Sequence, residues 1–150
     1  MIHLEKIDRS NWKSAVFVTS DPEGKHPLEE KWVMSTAFSI VQSTYEDEWE
    51  SRLIMDDEKV IGFVFYGMWK EKQAPLLCCY TIDIKEQGKG YGQRALPVII
   101  EEMIKQYNPS CIYLTLEPEN ERAIYIYEKF GFVSTGETDE GEQVYIYKVR

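Results

Sequence analysis

Apolar and polar positions alternate through the first half of the chain and switch to a helical period in the second. IHLEKI alternates as a first strand, and SNWKSAVFV follows with Ser10 placed to cap a short helix. From Pro27 to Val41, the residues Leu28, Trp32, Phe38 and Val41 trace a loose helical stripe. A β meander is predicted next. SRLIMDD and EKVIGFVFYGMW are joined by an acidic turn at Asp56-Asp57-Glu58, and PLLCCYTIDI makes the third run. From Ala95 onward Leu96, Ile99, Ile100, Met103, Ile104 and Tyr107 recur at helical spacing, with Pro97 expected near the first turns or at a bend because it brings no amide. CIYLTLE reads as a strand, ENERAIYIYEKF as a helix stopped by Gly131, and FVSTGETDEGEQVYIYKV as a closing hairpin. This order predicts a mixed α/β sheet with a strand, crossover helix, strand unit at its centre.

Between the third run and the long helix lies EQGKGYGQR, with Gly88, Gly90 and Gly92 at every second position. Glycines that end a strand and open a helix expose unpaired amides at the positive end of the helix dipole, which suits an anion. Lys89 and Arg94 add positive charge beside them. Taken alone, the glycines fit a ligand-free turn equally well. Two phosphate motifs are excluded: no Gly-Lys-Ser/Thr ending is present for a P-loop, and Gln93 stands where a dinucleotide fingerprint needs glycine.

Composition narrows the remaining choices. A chain of 150 residues with 43% apolar content is expected to form one domain, residues 1–150, with a single core. Its 26 acidic and 17 basic residues give a net charge of −9, which argues against a nucleic-acid partner and for a cationic one, if the partner is charged. MIHLEKIDRS lacks a basic start followed by an apolar core, and no stretch has membrane-spanning length, so a soluble, cytoplasmic protein is expected. Cys78, Cys79 and Cys111 have no metal-ligand spacing, and strand alternation sends the adjacent pair to opposite faces as buried thiols. His3 and His26 are too scattered for a metal site or a histidine-centred triad.

Gln87-Gly88-Lys89-Gly90-Tyr91-Gly92 resembles the Gln/Arg-x-x-Gly-x-Gly/Ala signature of the GCN5-related N-acetyltransferase (GNAT) superfamily. Residues 120–132, NERAIYIYEKFGF, are similar to that family's Asn-x-x-Ala-x-x-x-Tyr-x-x-x-Gly-Phe element. The resemblance implies a GNAT fold: a twisted, mostly antiparallel sheet of six to seven strands, helices on both faces, and a central β-α-β unit that binds acetyl-CoA. It implies no metal. By resemblance, backbone groups of Tyr80, Thr81 and Ile82 hold the pantetheine arm and polarise the thioester carbonyl. Gln87, Gly88, Lys89, Gly90, Tyr91, Gly92 and Gln93 hold the pyrophosphate, and Asn120 bonds further along the cofactor. Tyr127 falls where the family places the general acid that protonates the leaving thiolate.

A primary amine is protonated at neutral pH, so direct acetyl transfer to it also needs a proton acceptor. Glu117 and Asp83, at the ends of two strands, are the candidates; desolvation of the amine with water as carrier is the alternative. The chain looks most like the bacterial spermine/spermidine branch of the superfamily, which implies a polyamine acceptor and agrees with the acidic balance. Glu46, Asp47, Glu48 and Glu50 are either part of a substrate loop or a solvated turn. Cys78 and Cys79 stand where polyamine-type relatives often carry acidic residues, so aminoglycosides, other small amines, protein N-termini and lysines stay open as acceptors. A non-catalytic acetyl-CoA sensor is the reading of a different class. The resemblance is also compatible with a homodimer, with VYIYKV as the pairing edge.

Overall fold

A computed structural model describes residues 1–20 and 35–150. One sheet of seven strands runs in the order β1 (Ile2–Lys6), β2 (Trp49–Asp56), β3 (Lys59–Trp69), β4 (Ala74–Ile82), β5 (Cys111–Leu116), β7 (Glu142–Lys148) and β6 (Val133–Asp139). Every neighbouring pair is antiparallel except β4 and β5. Those two are joined by α3 (Tyr91–Tyr107), which forms the predicted crossover unit. The remaining helices among the described residues are α1 (Trp12–Val16), α2 (Thr36–Tyr45) and α4 (Glu121–Phe130).

Two apolar layers sandwich the sheet. The larger gathers Leu96, Ile99, Ile100 and Met103 of α3 with Tyr127 of α4 against Val64, Tyr66, Leu77, Leu114 and Tyr145 of the strands. The smaller joins Ala15 and Val18 to Leu53, Met55, Phe63 and Phe65. Helices thus lie on both faces, as expected.

Local details depart from the sequence reading where side-chain chemistry overrides pattern. Ser10 does not cap α1: its amide and hydroxyl both donate to Asp8 (2.8 and 2.6 Å), and the cap residue is Asn11. The expected helix over residues 27–41 falls partly outside the described residues; within them α2 begins after Ser35, whose hydroxyl accepts from the Phe38 amide. Phe38 and Val41 point outward. The inward face instead carries Ser39 and Ser43, hydrogen-bonded to Ser51 of β2 through the Ser39 carbonyl and the Ser43 hydroxyl. Pro97 sits in the second turn of α3 on its exposed side.

Two corrections concern the strands. VYIYKV is not an edge: β7 is flanked by β5 and β6, so β6 forms that border of the sheet. The cysteines do not face opposite ways either. Phe65 pairs with Cys79 while Tyr66 pairs with Leu77, so Cys78 is an extra residue, a β-bulge. The bulge resets the alternation, and both thiols pack on the smaller layer.

Candidate active site

The bulge at Cys78 coincides with a second event. β4 and β5 pair only at Leu76–Tyr113 and Leu77–Leu114, after which both strands continue unpaired with each other. A bulged strand bends, and here the bend parts two parallel neighbours at their C-terminal ends, where open α/β sheets bind ligands. Beyond Leu77 the β5-facing edge of β4 has no strand to bond.

A cleft of about 390 Å³ opens in this gap. Every expected cofactor residue except Lys89 lines it, together with Tyr127. Gly88 and Gly90 adopt φ of 79° and 81°, left-handed values that favour glycine, and Gly90 is the residue preceding α3. Gly92 is different. It lies within the helix, and a Cβ there would meet nothing within 4 Å. Neither strain nor packing inside the chain requires glycine at that point, so its missing side chain leaves open space on the cleft wall. The first helical amide bond runs from Arg94 to the Gly90 carbonyl (3.2 Å), so the amides of Tyr91, Gly92 and Gln93 have no acceptor inside the helix.

Several side chains act on the frame of the cleft. Gln87 donates to the Ile82 carbonyl at 3.0 Å and ties the glycine turn to the end of β4. The Tyr80 hydroxyl donates to the Gly92 carbonyl at 3.0 Å. Tyr91 is buried and donates to Asp56 at 2.7 Å, pinning the start of α3 to β2. Asn120 caps α4 by accepting from the Ala123 amide at 3.3 Å, which leaves its side-chain NH₂ as a donor. The expected cations are engaged elsewhere: Lys89 and Lys59 both bind Glu86 (2.8 and 3.1 Å), and Arg94 stacks on Tyr91 at 4.6 Å. Arg122, which sequence reasoning passed over, lines the cleft instead. Its helical phase beside Ala123 and Ile126, both also in the wall, was the available signal.

Tyr127 is 9% exposed and meets Tyr80 and Phe132 edge-on, with ring centroids 6.2 and 5.7 Å apart. Burial, with smaller contributions from Tyr80 and Cys79, raises its hydroxyl well above the ordinary phenol value. Burial likewise pushes Tyr80 and the thiols of Cys78 and Cys79 up to about 12. A thiolate generated in these surroundings would be desolvated in the same way and would demand a proton, which a neutral phenol can supply.

The proposed bases are placed differently. Asp83 caps the 3₁₀ turn Ile84–Glu86 by accepting from the Lys85 amide. Glu117 is exposed just beyond β5 and does not line the cleft. The acidic stretch at the start of β2 lies at the other end of the sheet, where Trp49 pairs with Gly67, and three of its four carboxylates have partners: Glu46 accepts from Gln42, Glu48 lies 3.7 Å from Lys70, and Glu50 binds Arg52 at 2.7 Å. That arrangement fits a structured surface turn.

The sequence profile of the acetyltransferase (GNAT) family matches residues 10–132. The chain belongs to this family. It is 34% identical over 94 residues to the spermine/spermidine N(1)-acetyltransferase of Bacillus subtilis strain 168, a match covering 58% of this chain and 62% of that protein. The matched region thus spans about three fifths of the relative's length. In fold it is similar to a PaiA N-acetyltransferase from Thermoplasma acidophilum solved with coenzyme A (TM-score 0.70, 18% identity, 99% of each chain). It is also similar to the ribosomal-protein-S18-alanine N-acetyltransferase of Escherichia coli (TM-score 0.68, 17% identity, 99% of this chain and 94% of that one). These likenesses show the fold and leave the acceptor open. No helix among the described residues is long and apolar enough to cross a membrane.

Proposed function

We propose that this GNAT-family protein transfers the acetyl group of acetyl-CoA directly to a primary amine of a polyamine such as spermidine or spermine. The observation that carries the reading is the gap between β4 and β5, with helix-terminal amides at its mouth and a buried, neutral phenol in its wall. The amides of the glycine turn and the Arg122 guanidinium take the pyrophosphate. The unpaired edge of β4 bonds the pantetheine arm as a strand would, aligning the thioester carbonyl. The acceptor nitrogen attacks the carbonyl carbon, the C–S bond breaks, and Tyr127 gives its proton to the departing sulfur. With Cys78 and Cys79 held as thiols, the acetyl group passes straight to nitrogen without an acetyl-cysteine stage.

The partial match to a polyamine acetyltransferase and the net charge of −9 support a cationic acceptor. Three free cysteines suit a reducing cytoplasm. A homodimer formed by strand pairing would use one of the sheet's edge strands, β1 or β6. The test is release of free thiol from acetyl-CoA over a panel of spermine, spermidine, putrescine, lysine peptides and aminoglycosides. Turnover confined to polyamines is the expected result. Turnover with other amines alone would refute the polyamine assignment, and binding of acetyl-CoA with no release would identify a sensor.

A further inference from the structure

We propose that Glu142 of β7 is the carboxylate that receives the acceptor's ammonium group and takes its proton, acting from the face of the sheet opposite α3 and α4. The inference rests on the transferase reading above and names its missing base.

Topology places the residue. On β7, Tyr145 and Tyr147 join the layer under α3 and α4, so Glu142 and Val144 face the other way. β7 pairs with β5 such that Gln143 lies opposite Leu116, which brings Glu142 level with the end of β5, where β5 has already parted from β4. The bulge turns Cys78 of β4 toward this same face, near enough for the Glu142 charge to act on its thiol. Cys79, beside it, acts on the Tyr127 hydroxyl in turn. Glu142 and the two thiols thus share one face of the sheet beside the gap, and Tyr127 belongs to the layer on the other face. A base and an acid on opposite sides of a parted pair of strands bracket the place where a thioester carbonyl must sit.

The electrostatics agree. Glu142 is half-buried, and burial raises its carboxyl above the ordinary glutamate value. Among the described residues the charges that act on it are negative: Glu117 at the end of β5, Asp139 on β6, and Glu140 in the β6–β7 turn. The Cys78 thiol on β4 is neutral at working pH. An ammonium ion supplies the positive charge that no described residue brings to this group, and a raised carboxyl is a better base than an exposed one. The protons balance. The ammonium gives one proton to Glu142; the neutral amine forms the C–N bond and loses its second proton as the C–S bond breaks; sulfur gains one from Tyr127. Tyr127 regains a proton from the second one released, and Glu142 passes its own to water.

The test compares the full chain as wild type, Glu142→Gln, Glu142→Asp and the remote control Glu101→Gln on the exposed face of α3. Calorimetry follows spermidine binding to the CoA-loaded protein, and kcat/KM is measured against pH. Glu142→Gln is expected to weaken spermidine binding about tenfold or more, lower kcat/KM by about 10²-fold and abolish the acid-side fall in rate. Glu142→Asp restores part of each, and Glu101→Gln matches wild type. Acetyl-CoA binding stays unchanged throughout, because Glu142 lies outside the cofactor cleft. Fold is controlled by melting. A carboxyl raised in the folded state costs stability as pH climbs from the unfolded value through the folded one, so at pH 7 Glu142→Gln melts no lower than wild type. A Glu142→Gln protein that binds and acetylates spermidine within about threefold of wild type overturns the assignment and leaves the transferase reading intact. Wild-type protein that releases no CoA with any amine refutes both.

Discussion

At Tyr127 the surroundings decide which proton chemistry is available. Burial holds the hydroxyl neutral, and the same burial makes a nearby thiolate costly. Tyr127→Phe is therefore expected to lower kcat by about 10²-fold while acetyl-CoA binds as before, measured by thiol release and calorimetry. Full turnover in that variant would remove the phenol from the mechanism. Two glycines separate conformational from spatial need. Gly90→Ala, at φ 81°, should lower stability by about 1 kcal/mol and weaken acetyl-CoA binding, whereas Gly92→Ala should raise stability by about as much, because its helical backbone accepts alanine. Gly92→Leu should fold yet bind the cofactor poorly, since its side chain enters the cleft. Thermal melts and titrations with acetyl-CoA check all three. Asn120, Tyr127 and the glycines were legible in the sequence because two motifs fix their register. Arg122 and Glu142 were not, because their part depends on which face of a helix or strand meets the gap.

Among the elements, the crossover helix and the strands flanking it carried the clearest signal, since each is long and strongly periodic. Even so, α3 begins at Tyr91, not Ala95: a buried tyrosine bonded to Asp56 of β2 is a tertiary contact that periodicity cannot reveal. Tyr91→Phe should cost about 1–2 kcal/mol and loosen the helix start, seen as a lower melting temperature and weaker acetyl-CoA binding together. The insertion of β7 between β5 and β6 was equally hidden. A closing hairpin read locally can dock by either strand, and only the pairing of Gln143 with Leu116 decides it. The bulge at Cys78 is the third case. It adds one residue without any glycine or proline to announce it, yet it turns both cysteines to one face and marks the point where β4 leaves β5.

Across the whole molecule, the sheet divides the labour of the proposed reaction. The proposed cofactor cleft opens on the side of α3 and α4, and the carboxylate of Glu142 stands on the other. A net charge of −9 adds long-range attraction for a polycation, so the KM for spermidine should rise as salt is added, while the KM for acetyl-CoA, an anion, should not rise in parallel. A spermidine KM insensitive to salt would contradict that part. The most direct test of acetyl transfer through the gap is mass spectrometry of one reaction mixture containing the protein, acetyl-CoA and spermidine, with products and intact protein weighed together. Equal amounts of CoA and mono-acetylated spermidine, with the protein mass unchanged, are the predicted result. Acetylated protein that accumulates ahead of product, or bound acetyl-CoA that yields no acetylated amine, would contradict it.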